Sequence, residues 1–337
     1  MVRRYLLFSE IPRRRMALRG GELTVSLVVA ASTREMTREQ WLEERRKGIG
    51  GSDAAAVAGL SRYRTPIQVY MEKLGLIDPP EENEAMYWGK KLEDLVAEEF
   101  SLRTGLKVRR KNAILRHPAH PWMLANVDRI IAGRQEGLEC KTTSAYKASE
   151  WEGDEIPWEY AIQCHHYMAV TGYSAWWIAV LIGGNRFVYK RIERDEEIIA
   201  NLVKIESDFW HNHVLKRIPP APDGSEASSE LVKQLYPKSN GLELDLPSSV
   251  EQWIQQYEQA AEEEKAAAAR KEEAANNIKM LLGEYEAGRF KDWRITWKTT
   301  QSSRLDTKRL RAEMPDVYAN YATQTTSRRF EIRRMEA

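Results

Sequence analysis

The chain has almost no cysteine. Cys140 and Cys164 are the only two among 337 residues, which excludes a disulfide framework and, by themselves, the four thiolates of an iron–sulfur cluster. Long hydrophobic runs are missing as well. No segment approaches the ~20 apolar residues that span a bilayer, and nothing argues for secretion. An excess of one charge is also absent: 51 basic and 50 acidic residues leave a net charge of +1. The chain is therefore no bulk polycation, and any contact with nucleic acid must rest on local patches. A protein of the reducing cytoplasm is the expectation.

Apolar residues make up 42% and charged residues 30% of the sequence, enough for a large core and about two domains. Three basic patches stand out: Arg45-Arg46-Lys47, Lys107–Lys111 (KVRRK) and Arg328–Arg334. Each is either a phosphate contact or a solvated face. Residues 1–35 are rich in arginine and short apolar clusters without sustained period. They do not fit a signal peptide, are expected to be a poorly ordered extension, and carry no assigned function. Met36 begins a cleaner pattern, consistent with a non-native start upstream. The main domain is expected over 36–217 and a linker over 218–247, led by Pro219-Pro220-Ala221-Pro222. An accessory region should fill 248–337. In it, Ser248–Gly283 reads as a long polar helix, and Gly288–Thr299 and Ser327–Arg333 as strands around a short helical piece.

Within the main domain, Thr37 and Gln40 form a capping box ahead of a short helix. Gly48–Asp53 (GIGGSD) precedes an alanine-rich helix, as either an anion site or a plain turn capped by Ser52 or Asp53. Tyr87–Thr104 is an amphipathic helix with Leu92, Leu95, Val96 and Phe100 on one stripe, Glu93 at its boundary and Gly105 as its stop. Strands follow at Leu106–Arg109, Ala113–Arg116, Met123–Ile131 and Gly137–Thr142. A helix over Pro157–Thr171 places Gln163 and Tyr167 on one face. Trp176–Ile182 and Arg186–Arg191 form a hairpin, and Asp195–Leu215 closes the domain as a helix. This order gives an α/β (α+β) core, a mixed sheet flanked by helices.

The stretch Ala125–Thr143 (ANVDRIIAGRQEGLECKTT) organises the rest. Alternation puts Glu139 and Lys141 on one face and Leu138 and Cys140 on the other, and a hairpin return brings Asp128 near. Two carboxylates beside an ammonium suit a hard divalent cation; alone they could be an ordinary surface ion pair. A nucleophilic Cys140 is the rival, but its side chain points away. His165 and His166 share the helix of Gln163 and suit ordinary packing.

Taken together, GIGGSD at 48–53, Glu93, NVD at 126–128, ECK at 139–141 and Gln163-x-x-x-Tyr167 resemble the YqaJ-like phage-type recombinase family. These are lambda-exonuclease-like members of the PD-(D/E)xK nuclease superfamily, and the resemblance covers roughly 36–215. Val127 stands where that motif has proline. The resemblance implies a restriction-endonuclease-like core with a C-terminal long helix and a small β accessory region. It implies Mg²⁺, with Mn²⁺ as a substitute, held by Glu93, Asp128, Glu139 and the Cys140 carbonyl. Lys141 would orient or help deprotonate the attacking water, Gln163 and Tyr167 would position the strand and the lysine, and Ser52 with Arg46 would hold a terminal 5′-phosphate. The implied activity is an exodeoxyribonuclease, a hydrolase that digests double-stranded DNA 5′ to 3′ from its ends to 5′-phosphomonoesters. It would leave 3′ single strands for a RecT-like annealing partner. Ring-forming relatives leave a homo-trimer open. The alternatives are a Cas4- or RecB-like nuclease, many of which carry four cluster-binding cysteines, and a non-catalytic DNA-end-binding module.

Overall fold

A computed structural model describes residues 27–79, 82–323 and 327–334. The arginine-rich stretch 1–26 lies outside them. The rest of the expected extension does form structure: β1 (Val28–Ser32) pairs antiparallel with β4 (Ala113–Arg116). Helix α1 (Arg38–Arg46) starts at Thr37, whose capping box with Gln40 is present on both sides. After β2 (Ile49–Gly50) comes α2 (Gly51–Val57), with Gly50 as its N-cap. Neither Ser52 nor Asp53 caps this helix. Asp53 lies inside its first turn, and its carboxylate accepts the Gly50 N–H at 3.1 Å. Helix α3 (Pro66–Lys73) follows.

Helix α4 (Glu84–Thr104) begins at Asn83, whose side chain accepts the Met86 N–H, and ends at Gly105 with φ of 70°. That left-handed conformation suits glycine. Val96, Ala97 and Phe100 are its buried residues, whereas Leu95 is 53% exposed. The buried stripe is therefore rotated from the expected one. Extended back by one turn it runs through position 93, so Glu93 lies on the face turned to the sheet.

The sheet it covers has the order β3 (Val108–Arg110), β6 (Arg129–Ile131), β7 (Glu136–Thr143), β8 (Ala175–Ile182), β9 (Arg186–Glu193). Strands β7 and β8 run parallel and the other pairs antiparallel. A second sheet orders β1, β4, β5 (Met123–Asn126) and β2. The single strand expected over Met123–Ile131 is thus two short ones in different sheets, broken at Val127–Asp128. Between β7 and β8 the chain passes through a 3-10 turn (Ala145–Trp151) and α5 (Trp158–Thr171). That crossover is the βαβ unit a parallel pair requires.

One face of the five-stranded sheet packs Ile131, Leu138 and Ala179 against Val96, Ala97 and Phe100 of α4. On the other, Ile130 and Trp176 join Tyr167, Met168 and Val170 of α5. Burying each of the isoleucine, leucine, valine, phenylalanine and methionine side chains among them stabilises the fold by about 1.5–3 kcal/mol relative to exposure. Helix α6 (Glu196–Asp208), continued by a wider turn over Phe209–Val214, packs on α5 through a buried pair. His166 Nδ1 lies 2.8 Å from Glu206, and its Nε2 lies 2.8 Å from the Leu124 carbonyl of β5.

The chain divides into two compact units, Met1–Val232 and Lys233–Ala337. Where a linker is expected, Glu226–Leu235 forms helix α7, with Ser228 and Leu231 buried. In the second unit α8 (Val250–Leu282) is a polar helix whose one buried residue is Leu282. Strands β10 (Ala287–Phe290) and β11 (Trp293–Thr296) pair with each other, so the Gly288–Thr299 stretch is a hairpin by itself. Helices α9 (Thr307–Glu313) and α10 (Pro315–Tyr321) follow. Residues 327–334 form no strand, contrary to expectation; Phe330 instead meets Tyr257 of α8 edge-on. No described helix is long and apolar enough to cross a membrane.

His165 is buried and its Nδ1 has no partner. Burial lowers its pKa to about 4, whereas the unfolded chain takes up that proton near 6.5. The folded state should lose stability as pH falls from about 6.5 to about 4, by up to about 1.4 kcal/mol per unit. Melting temperatures across that window should fall more steeply for the wild type than for His165→Gln.

Candidate functional site

The break between β5 and β6 positions the first carboxylate. Val127 is buried in the core, and the chain then passes from one sheet to the other at Asp128. Arg129 pairs in register with Leu138, so Asp128 falls level with Glu139. Its Oδ2 accepts the Cys140 N–H at 2.9 Å. Along β7 the alternation is as expected. Leu138 and Cys140 pack toward α4, while Glu139 and Lys141 face α5.

On that face the polar groups form one chain. Lys141 Nζ donates to Glu139 Oε1 at 2.6 Å, and Gln163 Nε2 donates to the same oxygen at 2.7 Å. Gln163 Nε2 also reaches the Tyr167 hydroxyl at 2.8 Å, and Tyr167 donates to the Asn126 carbonyl at 3.2 Å. The helical spacing of Gln163 and Tyr167 thus ties β7 to the end of β5. Gly51 lets α2 approach this chain. A Cβ there would lie 2.4 Å from Tyr167 Cε1, closer than packed atoms allow.

Burial raises the Asp128 pKa well above the usual carboxylate range, and the charges of Glu139 and Glu93 push the same way. Burial opposes the Lys141 charge, but Glu139 and Asp128 outweigh it and hold the ammonium pKa up. Glu139 Oε2 is buried with no partner. Burial and the neighbouring Asp128 and Glu139 carboxylates also push the Cys140 thiol up, which leaves it a poor nucleophile.

Glu93 arrives from α4, but through an intermediary. Arg129 Nη1 donates to Glu93 at 2.5 Å and to the Asp128 carbonyl at 2.7 Å, while Nη2 reaches Asp94 at 2.6 Å. Among the described residues no three carboxylate, imidazole or thiol groups converge on one point, since Glu93 is turned to Arg129. The donor set nevertheless fits a hard cation: oxygen ligands, one buried oxygen without a partner, and a carboxylate pair short of positive charge.

Ser52 is exposed at the start of α2, and its partner is Arg45, at 2.8 Å. Arg46, paired with Ser52 on the sequence, does not reach it and faces Asp78 at 3.7 Å. Arg45 stacks on Trp41 and also contacts Asp53. Burial alone would raise the Asp53 carboxyl, but Lys73, Arg45 and Arg64 hold it well below the usual range. A cavity of about 90 Å³ joins Trp41, Arg45 and Ser52 to Asn126 and Tyr167. The sequence pattern gives Arg129 no role, and it marks Arg45 and Asn126 only within the basic patch at 45–47 and the NVD motif at 126–128. An arginine inside the apolar run 127–131 was the available signal for the first.

A mixed α/β core with a close carboxylate pair, a lysine and a glutamine–tyrosine clamp defines the class. Residues 40–174 match the YqaJ-like viral recombinase domain. The YqaJ protein of Bacillus subtilis (strain 168) is 45% identical over 309 residues, covering 90% of this chain and 97% of that protein. The chain belongs to the YqaJ-like viral recombinase family. Among solved structures, an alkaline exonuclease from Laribacter hongkongensis is 20% identical, with a TM-score of 0.46, over 59% of this chain and all of its own. A phage-related exonuclease from Haemophilus somnus 129PT is 12% identical, with a TM-score of 0.41, over 56% of this chain and 96% of its own.

A group that resists ionisation destabilises the fold at neutral pH, and an amide there removes the strain while still accepting the Cys140 N–H. Asp128→Asn should therefore stabilise the metal-free protein by about 0.5–2 kcal/mol, read as a raised urea midpoint. Added Mg²⁺ should then raise the melting temperature of the wild type and leave the variant unmoved.

Proposed function

We propose that this protein is a metal-dependent DNA nuclease, a 5′-to-3′ exodeoxyribonuclease acting on double-stranded ends. In this account it leaves 3′ single strands for a RecT-like annealing partner, in keeping with its recombinase family. The observation that carries the proposal is the half-buried Asp128 level with the buried Glu139, whose second oxygen has no partner beside Lys141. Such a pair is costly without a cation and useful with one.

Asp128, Glu139, Glu93 and the Cys140 carbonyl would hold Mg²⁺ or Mn²⁺. When bound, the ion supplies neutralisation of the phosphodiester charge and an acidified water. Glu93 exchanges Arg129 for this site. Lys141, fixed by Glu139 and held as an ammonium, orients the attacking water and stabilises the negative charge that develops on it. Gln163 holds the Glu139 oxygen, and Tyr167 holds Gln163, so both act as positioning residues. Ser52 binds the terminal 5′-phosphate together with Arg45, which replaces Arg46 on geometric grounds. Their cavity borders Tyr167, so a 5′ end seated there lies next to the catalytic chain. A cytoplasmic location and trimeric assembly complete the proposal.

Glu139→Ala and Lys141→Ala should each cut Mg²⁺-dependent digestion of linear duplex by at least about 10²–10⁴-fold, with circular dichroism and melting showing a folded protein. Full activity in either variant would remove the proposed centre. End-labelled duplexes should be digested faster with a 5′-phosphate than with a 5′-hydroxyl, and indifference would remove the role of Ser52 and Arg45.

A further inference from the structure

The run Lys107–Lys111 has no part in the chemistry above. Strand β3 is an edge of the five-stranded sheet and pairs only with β6, Val108↔Ile131, Arg109↔Ile130 and Arg110↔Arg129. Successive side chains take opposite faces. Val108 packs with the Phe100 cluster on the α4 side, and Arg110 pairs with Asp94 of α4. Arg109 is therefore on the other side, where its charge acts on Tyr173 just after α5. Ile130, its partner on β6, packs on that side too, with Trp176. This is the face that carries Glu139 and Lys141.

Lys107 and Lys111 flank β3 two residues to either side of Arg109, and the Lys111 carbonyl accepts the Ala113 N–H at 2.7 Å where the chain turns toward β4. The Ala132 N–H donates to the Lys107 carbonyl at 2.8 Å, which extends the ladder to that residue. Among the described residues none of the three side chains has an ion-pair partner. Arg110, in contrast, is neutralised by Asp94. The alternation thus puts the paired Arg110 on one face and the unpaired Lys107 and Arg109 on the other, with the unpaired Lys111 at the end of the strand.

Register gives the row a direction. Arg110 lies opposite Arg129, so Lys111 leaves the strand at the Asp128 end of the row, and Arg109 and Lys107 step away from it. Two residues of strand advance about 6.8 Å, so the row covers roughly 14 Å, about four base-pair steps of duplex. A protein partner would call for apolar anchors, and this row has none. Evenly spaced cations on an exposed edge instead complement evenly spaced phosphates.

We propose that Lys107, Arg109 and Lys111 form a phosphate-binding row that holds the undigested duplex as it leads away from the Asp128–Glu139 centre. The proposal rests on the nuclease reading for its orientation. Contacts of this kind carry no sequence information. They keep the duplex aligned while the end is consumed.

The test compares the wild type with the triple variant Lys107→Ala/Arg109→Ala/Lys111→Ala by fluorescence anisotropy. A 5′-phosphorylated duplex is titrated in EDTA at several salt concentrations. The slope of log affinity against log salt should fall in magnitude by about 2–3, at ~0.9 per lost phosphate contact, equally for unrelated sequences. An unchanged slope overturns the row, as does a wild type with no salt-sensitive DNA binding. Neutral methylphosphonates within about four base-pair steps of the end should weaken the wild type and leave the variant unaffected. Equal weakening of both overturns the assignment. Digestion in Mg²⁺ is measured in parallel. A wild type that digests while the slopes agree loses only the row; one that binds with the predicted slopes but never digests loses only the nuclease reading.

Discussion

Like-charge repulsion between the half-buried Asp128 and the buried Glu139 is the constraint on which the rest of this structure depends. Asp128 and Glu139 are level on adjacent strands, and burial with mutual repulsion drives the Asp128 pKa up. Left alone, such a pair would be relieved by solvation or by protonation. The fold allows only partial relief. Lys141 and Gln163 share one Glu139 oxygen, the Cys140 N–H takes one Asp128 oxygen, and the second Glu139 oxygen has no partner. What remains is a local deficit of positive charge, which is the property a cation-dependent centre requires.

Holding that deficit in place takes rigid supports, and they come from the elements around it. Helix α5 carries Gln163 and Tyr167, and His166 on the same helix is anchored at both ring nitrogens, to Glu206 and to the Leu124 carbonyl. Burial works against protonation of His166, but Glu206 and that carbonyl outweigh it and raise its pKa. On the opposite face Arg129 joins the Asp128 backbone to Glu93 and Asp94. At the entrance, Asp53 gathers Arg45, Arg64 and Lys73. Three cations around one buried carboxylate leave Arg45 free to lean toward Ser52. Each support belongs to a different element, so the centre exists only when both sheets and their helices are assembled.

Much of this could be read from the residues because its signals are local. The Thr37–Gln40 box, the Gly105 stop, the alternation through Glu139-Cys140-Lys141 and the four-residue step from Gln163 to Tyr167 all depend on spacing within one element. What escaped depends on partners distant in the chain. The break at Val127–Asp128 is invisible to an apolar pattern that continues across it, since Ala125, Val127 and Ile130 are buried on both sides. Periodicity puts Leu95 on the apolar stripe, yet the adjoining stripe of Glu93, Val96, Ala97 and Phe100 meets the sheet. Arg45 and Arg46 are indistinguishable by composition; only the helix geometry turns one to Ser52 and the other to Asp78. Strand Val28–Ser32 carries little local signal, because it is held by its partner β4, some 80 residues onward.

The claim that most depends on the carboxylate pair is that it binds a divalent ion. Crystals soaked in Mn²⁺ should show an anomalous scattering peak between the carboxylates of Asp128 and Glu139, with the Glu93 side chain moved from Arg129 toward it. A peak only at other surface carboxylates, or none in a well-diffracting soaked crystal, would contradict the account.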